Sequence, residues 1–443
     1  MSNSATSTNE TALQRELGVV GATVMGLGSI VGTGAFVGLG LAAQLTGPSV
    51  VLAVVVGGLV ATFNALSSAQ LAANHPVSGG AYEYGYRRLQ PWMGAVAGWM
   101  FLAAKSASAA TAALGFARYA LDWCGLDYAM FGRPVAVVCV LLMTWLVSGG
   151  IRKSNFWNIA IVCFTFATLL VFVMAGLPTA TTAGGRAWTP FFAPSDESNW
   201  PGFEFLTASA MMFVAYTGYG RIATMAEEVR NPRVTIPRAI VTALFSTMFL
   251  YGTVAVVFVA ASHGVVGANG PKESALTLAD IAHRLNIPFV AECVSVGAIT
   301  AMLAVQLNLV LGLSRMVLAM ARREDLPVML SRVDETTKSP HAATWLVGIT
   351  IAALTLIGDM KTTWSFSAFT VLIYYGITNA AALQLQKSER LFPAFVPWLG
   401  LIACFALAFC VPVNIWITGL AILLAGLAVH GIRQHRRHRS PKT

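Results

Sequence analysis

Long apolar stretches recur along the whole chain and constrain its fold more than any other feature. A helix needs about twenty apolar residues to cross the hydrocarbon core of a bilayer. Cutting the chain at charges, prolines and glycine clusters gives twelve such stretches: 18–44, 49–73, 92–121, 133–150, 155–177, 203–225, 238–262, 287–320, 341–358, 363–386, 393–411 and 413–432. The sequence therefore predicts an all-α integral membrane protein with twelve transmembrane helices. Only Pro412 and Asn414 separate the last two stretches, so a count of eleven stays open.

Charged residues are too scarce for a soluble protein of this size. They make up 11% of the 443 residues, while 56% of the residues are apolar and the mean hydropathy is +0.68. Ordinary soluble domains contain roughly a quarter charged residues. Six cysteines form no CxxC pair, and seven histidines show no metal-ligand spacing, so we expect neither a metal site nor a cofactor. Most of the surface is predicted to face lipid.

The distribution of basic residues predicts the orientation in the membrane. With both termini in the cytoplasm, 21 of the 28 Lys and Arg residues lie on the cytoplasmic side, five lie outside, and Lys105 and Arg118 lie in the third span. Basic loops are retained in the cytoplasm, so this topology is the expected one. The basic tail 433–443 follows the last span directly, which favours contact with anionic lipid over binding to nucleic acid. We expect a multi-pass protein of the cytoplasmic membrane.

Two of the predicted spans contain interruptions. In span 1, six glycines lie between Gly26 and Gly40, including the run Gly32-Thr33-Gly34. Each glycine weakens a helix interior by up to ~1 kcal/mol relative to alanine. Small residues four apart also permit close helix packing, but that explanation does not require the Gly32-Thr33-Gly34 run. A second run of poor helix formers, residues 216–220, lies in the middle of span 6. Both spans are predicted to be broken helices.

The spacing of the two interruptions predicts an internal repeat. The first lies about five spans before the second, so spans 1–5 (18–177) and spans 6–10 (203–386) form two halves that are inverted relative to each other. Helices 11 and 12 (393–432) and the cytoplasmic tails 1–17 and 433–443 complete the chain. Unwound backbone inside a membrane must face protein or water, which indicates a ligand site at the midplane. Exposed N–H groups attract a carboxylate and exposed C=O groups attract an ammonium, so a zwitterionic amino acid fits both.

Several segments carry a resemblance to a known family. They are GSIVGTGAF at 28–36, PVSGGAYEY at 76–84, FVAYTGY at 213–219, AEEVRNP at 226–232 and IPRA at 236–239. In these motifs, their order and their spacing, the chain resembles the amino acid–polyamine–organocation family of secondary transporters, which have the leucine-transporter fold. The resemblance covers residues from about 18 to 390.

The resemblance implies that the first break binds the ends of an amino acid. Backbone N–H groups and a small hydroxyl would bind the substrate carboxylate, and by motif position these belong to Gly32, Thr33 and Gly34. Ile30 would offer its carbonyl oxygen to the amino group. Thr33 is the leading candidate because it supplies both an N–H group and a hydroxyl.

The second break is implied to complete the site. Phe213, Val214 or Thr217 would supply carbonyl oxygens, while Tyr216 and Tyr219 would cover the substrate side chain. Some relatives carry an acidic residue just past this break that suits cationic substrates. This chain has none there, so the pocket is expected to accept neutral amino acids.

Lys105 is a cation in an unusual place. It lies 13 residues past Trp92 in span 3, which is a depth of roughly 20 Å at 1.5 Å per residue. Its side chain is too short to reach either interface, so an unpaired cation there is costly. Proton-coupled relatives carry a lysine in span 5, whereas residues 162–168 here contain none. We hypothesise that Lys105 faces the central cavity and either replaces a coupling cation or carries the coupled proton.

The sequence as a whole predicts a secondary transporter of amino acids that works by alternating access, as a proton-coupled symporter or an exchanger. Its partners would be a small amino acid, a coupling proton or cation, and the lipid bilayer. Glu227 and Glu228 lie beside arginines at the cytoplasmic end of span 6 and are interpreted as a salt-bridged loop, with inner gating as the alternative. A polyamine or organic-cation antiporter and an amino-acid sensor that does not transport are the rival functions. An enzyme is disfavoured because no catalytic constellation converges in the spans.

Overall fold

The computed structural model describes residues 18–75, 79–150, 155–193, 200–224, 229–262, 266, 276–334, 336–337 and 339–439. Within these ranges the regular elements are helices: α1 Val19–Ile30, α2 Leu39–Thr46, α3 Val50–Asn74, α4 Gly80–Arg88, α5 Pro91–Cys124, α6 Tyr128–Ser148, α7 Asn155–Thr182, α8 Pro201–Tyr216, α9 Gly220–Thr224, α10 Pro232–Ala261, α11 Leu278–Arg284, α12 Val290–Arg322, α13 His341–Ile357, α14 Met360–Leu383, α15 Phe395–Ala408 and α16 Val413–Arg439. Short 3₁₀ and π turns connect some of them.

Eight described helical stretches are long and apolar enough to cross a membrane: Gly34–Asn74, Pro91–Cys124, Tyr128–Ser148, Ile159–Thr182, Pro232–Ala261, Val290–Arg322, Met360–Leu383 and Val413–His435. Three shorter apolar helices accompany them, α1, α13 and α15. The predicted class, an all-α membrane protein, is confirmed. The count of twelve crossings and the inverted halves stay predictions.

The corner between the first two predicted spans is built on Gly47. Its φ of 65° lies in the left-handed region, and an added Cβ would lie 2.7 Å from the Cβ of Ala193. The 3₁₀ turn Gly47–Ser49 then leads into α3. A glycine is required here because both the backbone conformation and the space exclude a side chain.

Helix α14 lies at the centre of the bundle. It is the most buried of the eight long stretches and packs against α5, α3 and α8. Hydroxyl pairs connect it to α5, since Ser108 and Ser367 oxygens lie 2.7 Å apart and Thr111 and Thr363 oxygens 2.8 Å apart. Interhelical hydrogen bonds of this kind stabilise membrane bundles, in which lipid supplies no hydrophobic drive between helices.

One end of the bundle, which we name the basic end, is held by charged contacts. Arg88 at the end of α4 donates two hydrogen bonds to the Glu389 carboxylate, at 3.1 and 2.7 Å, and also contacts His75. Asn74 donates to the Glu389 carbonyl at 2.7 Å and accepts from Arg233 at 2.8 Å. These contacts join the ends of α3, α4 and α10 to the segment after α14. This end is the one that the basic residues predict to be cytoplasmic.

We expect acid to weaken the basic end. Hydrogen bonds from Arg88 and from the Gln386 N–H lower the pKa of Glu389 from its ordinary value of 4.5, so its stabilisation is present above that value and is lost as the pH falls through the lowered pKa. Burial and the neighbouring arginines lower the pKa of His75, so protonating this imidazole also costs stability as the pH falls below 6.5. Glu389→Gln should lower the melting temperature at pH 7 and flatten its decline towards pH 4, measured by thermal melts in detergent.

The control is Glu292→Gln, because Glu292 is exposed and forms no ion pair with any residue in the described ranges. Its melting curve should run parallel to that of the wild type at every pH. Parallel curves for Glu389→Gln as well would show that the Arg88–Glu389 pair does not stabilise the fold.

Candidate functional site

The first helix is interrupted at Gly32. Helix α1 ends at Ile30, Val31 is extended with φ −80° and ψ 115°, and a helical turn resumes at Thr33 and continues as the π turn Gly34–Gly38. The N–H groups of Thr33 and Gly34 therefore lie in the first turn of a new helix, where no preceding carbonyl can accept from them. Such N–H groups are free to bind an anion.

The second break is tighter than the sequence suggests. Helix α8 ends at Tyr216, a 3₁₀ turn covers Thr217–Tyr219, and α9 starts at Gly220. Thr217 donates its hydroxyl to the Val214 carbonyl at 2.8 Å. The chain thus tightens into a 3₁₀ turn here and does not unwind. The Val214 carbonyl at this point therefore has a hydrogen-bond partner within the chain.

The two breaks lie against each other. An added Cβ on Gly218 would overlap the carbonyl oxygen of Ser29 and lie 2.5 Å from the Ile30 nitrogen. An added Cβ on Gly34 would lie 2.7 Å from the Cα of Ala215. The glycines therefore let each break approach the other interrupted helix at backbone distance, which is the reason this chain has glycine at both points.

Thr33 has a buried hydroxyl with no partner. Its side chain is 4% exposed, and no described residue lies within hydrogen-bonding distance of Oγ1. By contrast, Thr23 and Ser29 of α1 donate to their own helix at 2.8 and 3.2 Å. A buried hydroxyl is ordinarily paired, so an unpaired one beside free N–H groups indicates a place for a ligand.

Lys105 reaches the second break. Its Nζ donates to Thr217 Oγ1 at 3.1 Å, and its side chain is partly buried. No carboxylate in the described part of the chain forms an ion pair with it. The structure thus brings together two residues that were predicted for different reasons, Lys105 from its depth and Thr217 from its motif.

Three other predicted residues, Tyr216, Ile30 and Val214, already take part in hydrogen bonds within the bundle. The Tyr216 hydroxyl donates to the Val54 carbonyl of α3 at 3.2 Å, and its ring contacts Tyr251. Tyr251 in turn donates to the Ile30 carbonyl at 3.0 Å, so that carbonyl already has one partner. Val214 is buried, and its carbonyl is the acceptor for Thr217.

An aromatic cluster on α14 adjoins the second break, and sequence reasoning missed it. Tyr375 lies 5.3 Å from Tyr219 and 5.8 Å from Phe213 between ring centroids, and Tyr374 lies 5.7 Å from Phe101. Tyr375 also donates to the Thr217 carbonyl at 3.4 Å. The sequence feature that could have indicated it is the pair of adjacent tyrosines in the middle of an apolar span.

Glu227 and Glu228, the gating candidates, lie outside the described residues.

Comparison with known proteins decides the family. The family model for amino acid permeases matches residues 21–433. The chain belongs to the amino acid permease family. Amino acid permeases are transporters, so this protein is a multi-pass membrane transporter and not an enzyme.

Named relatives of this amino acid permease come from bacteria and plants. An uncharacterized transporter of Mycobacterium tuberculosis is 38% identical, with 97% of this chain and 94% of the relative covered. A branched-chain amino acid permease of Bacillus subtilis is 28% identical over 98% of this chain and 96% of its own length. Cationic amino acid transporter 3 of Arabidopsis thaliana is 27% identical over 76% of this chain and 56% of its own length. The relatives therefore differ in the charge of their named substrates.

Proposed function

We propose that this amino acid permease moves neutral amino acids across the cytoplasmic membrane by alternating access, with twelve spans, cytoplasmic termini and two inverted halves. The single observation that carries the proposal is the buried, unpartnered hydroxyl of Thr33 at the start of a helix inside the bundle. A ligand carboxylate supplies what this position lacks, because it accepts from the hydroxyl and from the adjacent N–H groups.

The amino group of the substrate would bind a carbonyl oxygen at the first break. The Ile30 carbonyl accepts one hydrogen bond, from Tyr251, and a carbonyl oxygen has two lone pairs, so it can accept a second bond from an ammonium. The Val214 carbonyl already accepts from both the N–H group and the hydroxyl of Thr217, so it has no lone pair left for the substrate. The carboxylate and ammonium ends would then be held by backbone groups, which leaves the side chain to the surrounding apolar and aromatic residues.

The charge of Lys105 supports a substrate without a cationic side chain. An ammonium next to Thr217 repels a cationic side chain close to it, and surroundings of low dielectric constant strengthen that repulsion. The rival function, polyamine or organic-cation antiport, is disfavoured for this reason. The branched-chain amino acid permease of Bacillus subtilis is a relative whose named substrates fit this expectation.

Lys105 is also the proposed site of coupling. The Lys105 amine is titratable and has no carboxylate partner among the described residues, so it can be charged in one step of the cycle and neutral in another. We assign the coupled proton to Lys105 and propose that Glu227 and Glu228 contribute to the inner gate.

Thr33→Val tests the proposed site. The substitution keeps the shape and removes the hydroxyl, so we expect the affinity for the amino acid to fall by about 10- to 100-fold, which corresponds to the loss of one hydrogen bond to a charged group. The melting temperature without ligand should not fall, because the hydroxyl has no partner to lose. A thermal-shift screen of the wild type against the twenty amino acids and polyamines identifies the ligand, and titration calorimetry then measures the dissociation constants.

Thr23→Val is the matched control, since Thr23 lies on α1, before the first break, and its hydroxyl bonds to the Val19 carbonyl. It should leave the affinity unchanged. Equal affinity for Thr33→Val and the wild type would reject the site. Counterflow of radiolabelled ligand into proteoliposomes separates a transporter from a sensor, because a sensor binds without exchange across the membrane.

A further inference from the structure

Three buried oxygens near the basic end have no hydrogen-bond partner. They are Ser67 Oγ and Gln70 Oε1 of α3 and the Tyr84 hydroxyl of α4, and none has a hydrogen-bond partner among the described residues. All three side chains are buried, with exposed fractions of 0%, 1% and 2%. Leaving a buried polar group unpaired costs about 1–3 kcal/mol, so three in one region require an explanation.

These three oxygens lie on α3 and α4, in the stretches of these helices that lead to the basic end. The two α3 residues fall between Asn64, which accepts from Asn379 of α14, and Asn74, which donates to the backbone beyond α14. Tyr84 packs in one cluster with Leu71 and Ala381, so it faces the same stretch of α3 and α14. The three unpaired groups therefore border a common region between α3, α4 and α14.

A second series of polar groups extends from this region to Lys105. Tyr375 donates to the Thr217 carbonyl at 3.4 Å, and the Thr217 hydroxyl accepts from Lys105 at 3.1 Å. The ring centroids of Tyr374 and Tyr375 lie 4.1 Å apart. An added Cβ on Gly220 would lie 3.1 Å from the Tyr375 hydroxyl and 3.9 Å from the Tyr374 hydroxyl, so both hydroxyls point into the second break.

The two series come together where α14, which carries Tyr374, packs against α4, which carries Tyr84. No carboxylate of the described residues forms an ion pair with Lys105. The other titratable groups next to these tyrosines are Tyr219 of the 3₁₀ turn and Cys404 of α15, which packs against α14. Among the described residues, the groups named along this region carry no fixed charge besides Lys105.

We propose that bound water connects these groups into a path that carries the coupled proton between Lys105 and the basic end, past Tyr375 and Tyr374 to Tyr84, Ser67 and Gln70. This proposal rests on the proposed role of Lys105 in coupling. A buried water needs two to four polar partners, and the unpaired oxygens supply them. The unpaired oxygen of Asn379 is different, because its amide packs directly against Gly400.

Proton release along this path conserves atoms and charge. An N–H bond of the Lys105 ammonium breaks, and its proton forms an O–H bond with the first water. Each water or hydroxyl in turn passes on one proton, and the last proton enters bulk water at the basic end. Lys105 is left neutral, and every hydroxyl on the path regains the composition it had before. The reverse sequence charges Lys105 again.

Hydroxyl-radical footprinting of the wild-type protein in detergent tests for the water. Radicals produced by X-rays from bound water label adjacent side chains, even where these are buried. Tyr84 should be labelled at least about tenfold faster than Tyr119, which is 1% exposed but donates to the Phe36 carbonyl and accepts from the Leu278 N–H. Labelling of Tyr84 as slow as that of Tyr119 would overturn the proposal.

The double variant Tyr84→Phe with Gln70→Leu tests the proton. In proteoliposomes that contain a pH-sensitive dye, substrate-driven proton uptake should slow by about tenfold or more, whereas counterflow of labelled substrate, which needs no net proton movement, should stay within about twofold. Tyr86→Phe is the control, because its hydroxyl is on the same helix and donates to Asp325 at 2.7 Å. Unchanged proton uptake in the double variant overturns the path.

Counterflow distinguishes failure of the proposed function from failure of the proton path. If the wild type shows no counterflow with any amino acid, the proposed function fails, whatever the footprint of Tyr84 shows. If counterflow is normal and proton uptake is unaffected by the double variant, transport stands and the path fails. A double variant that does not fold is replaced by Ser67→Ala, for which the same reduction in proton uptake is expected.

Discussion

Gly218→Ala is expected to destabilise this amino acid permease by about 3 kcal/mol and to abolish transport. The added methyl group would overlap the carbonyl oxygen of Ser29 and approach the Ile30 nitrogen to 2.5 Å. Both are backbone atoms, so no side-chain rotation can relieve the overlap. The clash can be relieved only by separating α1 from the second break, which dismantles the proposed site. Thermal melts in detergent and counterflow in proteoliposomes measure the two effects.

Gly252→Ala is the matched control for this substitution. Gly252 lies inside α10, and an added Cβ there would meet nothing within 4 Å. Alanine is the better helix former, so this variant should be as stable as the wild type or more stable by about 0.5–1 kcal/mol. If Gly218→Ala melts at the wild-type temperature and transports normally, the close approach of the two breaks is not required.

Lys105→Met is expected to abolish accumulation driven by a pH gradient while leaving counterflow intact. Methionine has a similar length and no titratable group, so the cavity keeps its shape and loses its proton carrier. Uptake into proteoliposomes should show no stimulation by an imposed proton gradient, in contrast to the strong stimulation expected of the wild type. The measurement is uptake of labelled amino acid with and without the gradient.

The control for Lys105 is Lys361→Met, because Lys361 is exposed at the start of α14. It should respond to the gradient as the wild type does. A full response of Lys105→Met to the gradient would contradict the coupling role. Loss of counterflow together with coupling would also contradict it, because Lys105 would then bind the substrate directly.

The sequence was sufficient to locate both breaks and to single out Lys105. Glycine density weakens a helix wherever it occurs, and an unpaired cation deep in a membrane is costly in any fold, so both inferences need only local chemistry. Lys105, singled out by its depth, lies beside Thr217 of the second break, and that it faces a cavity stays a prediction. These inferences did not depend on knowing which helices are neighbours.

The remaining features depended on helix rotation and could not be predicted in the same way. Tyr216 belongs to the second break by its motif, yet its hydroxyl bonds to α3, because the rotation of α8 is set by its packing. The roles proposed for Tyr374 and Gln70 depend on which residues of other helices lie next to them, and the sequence does not specify those neighbours. The second break was expected to unwind, but the Thr217 hydroxyl occupies the Val214 carbonyl and the chain closes into a 3₁₀ turn.

The hydroxyl pairs between α5 and α14 have a mechanical consequence. Ser108 with Ser367 and Thr111 with Thr363 form two rungs about one helical turn apart, which resist sliding of one helix along the other. Yet α5 belongs to the first proposed half and α14 to the second. The units that move during transport then need not coincide with the halves that the repeat defines. Lys105 of α5 and Tyr374 of α14 would then travel together as one body.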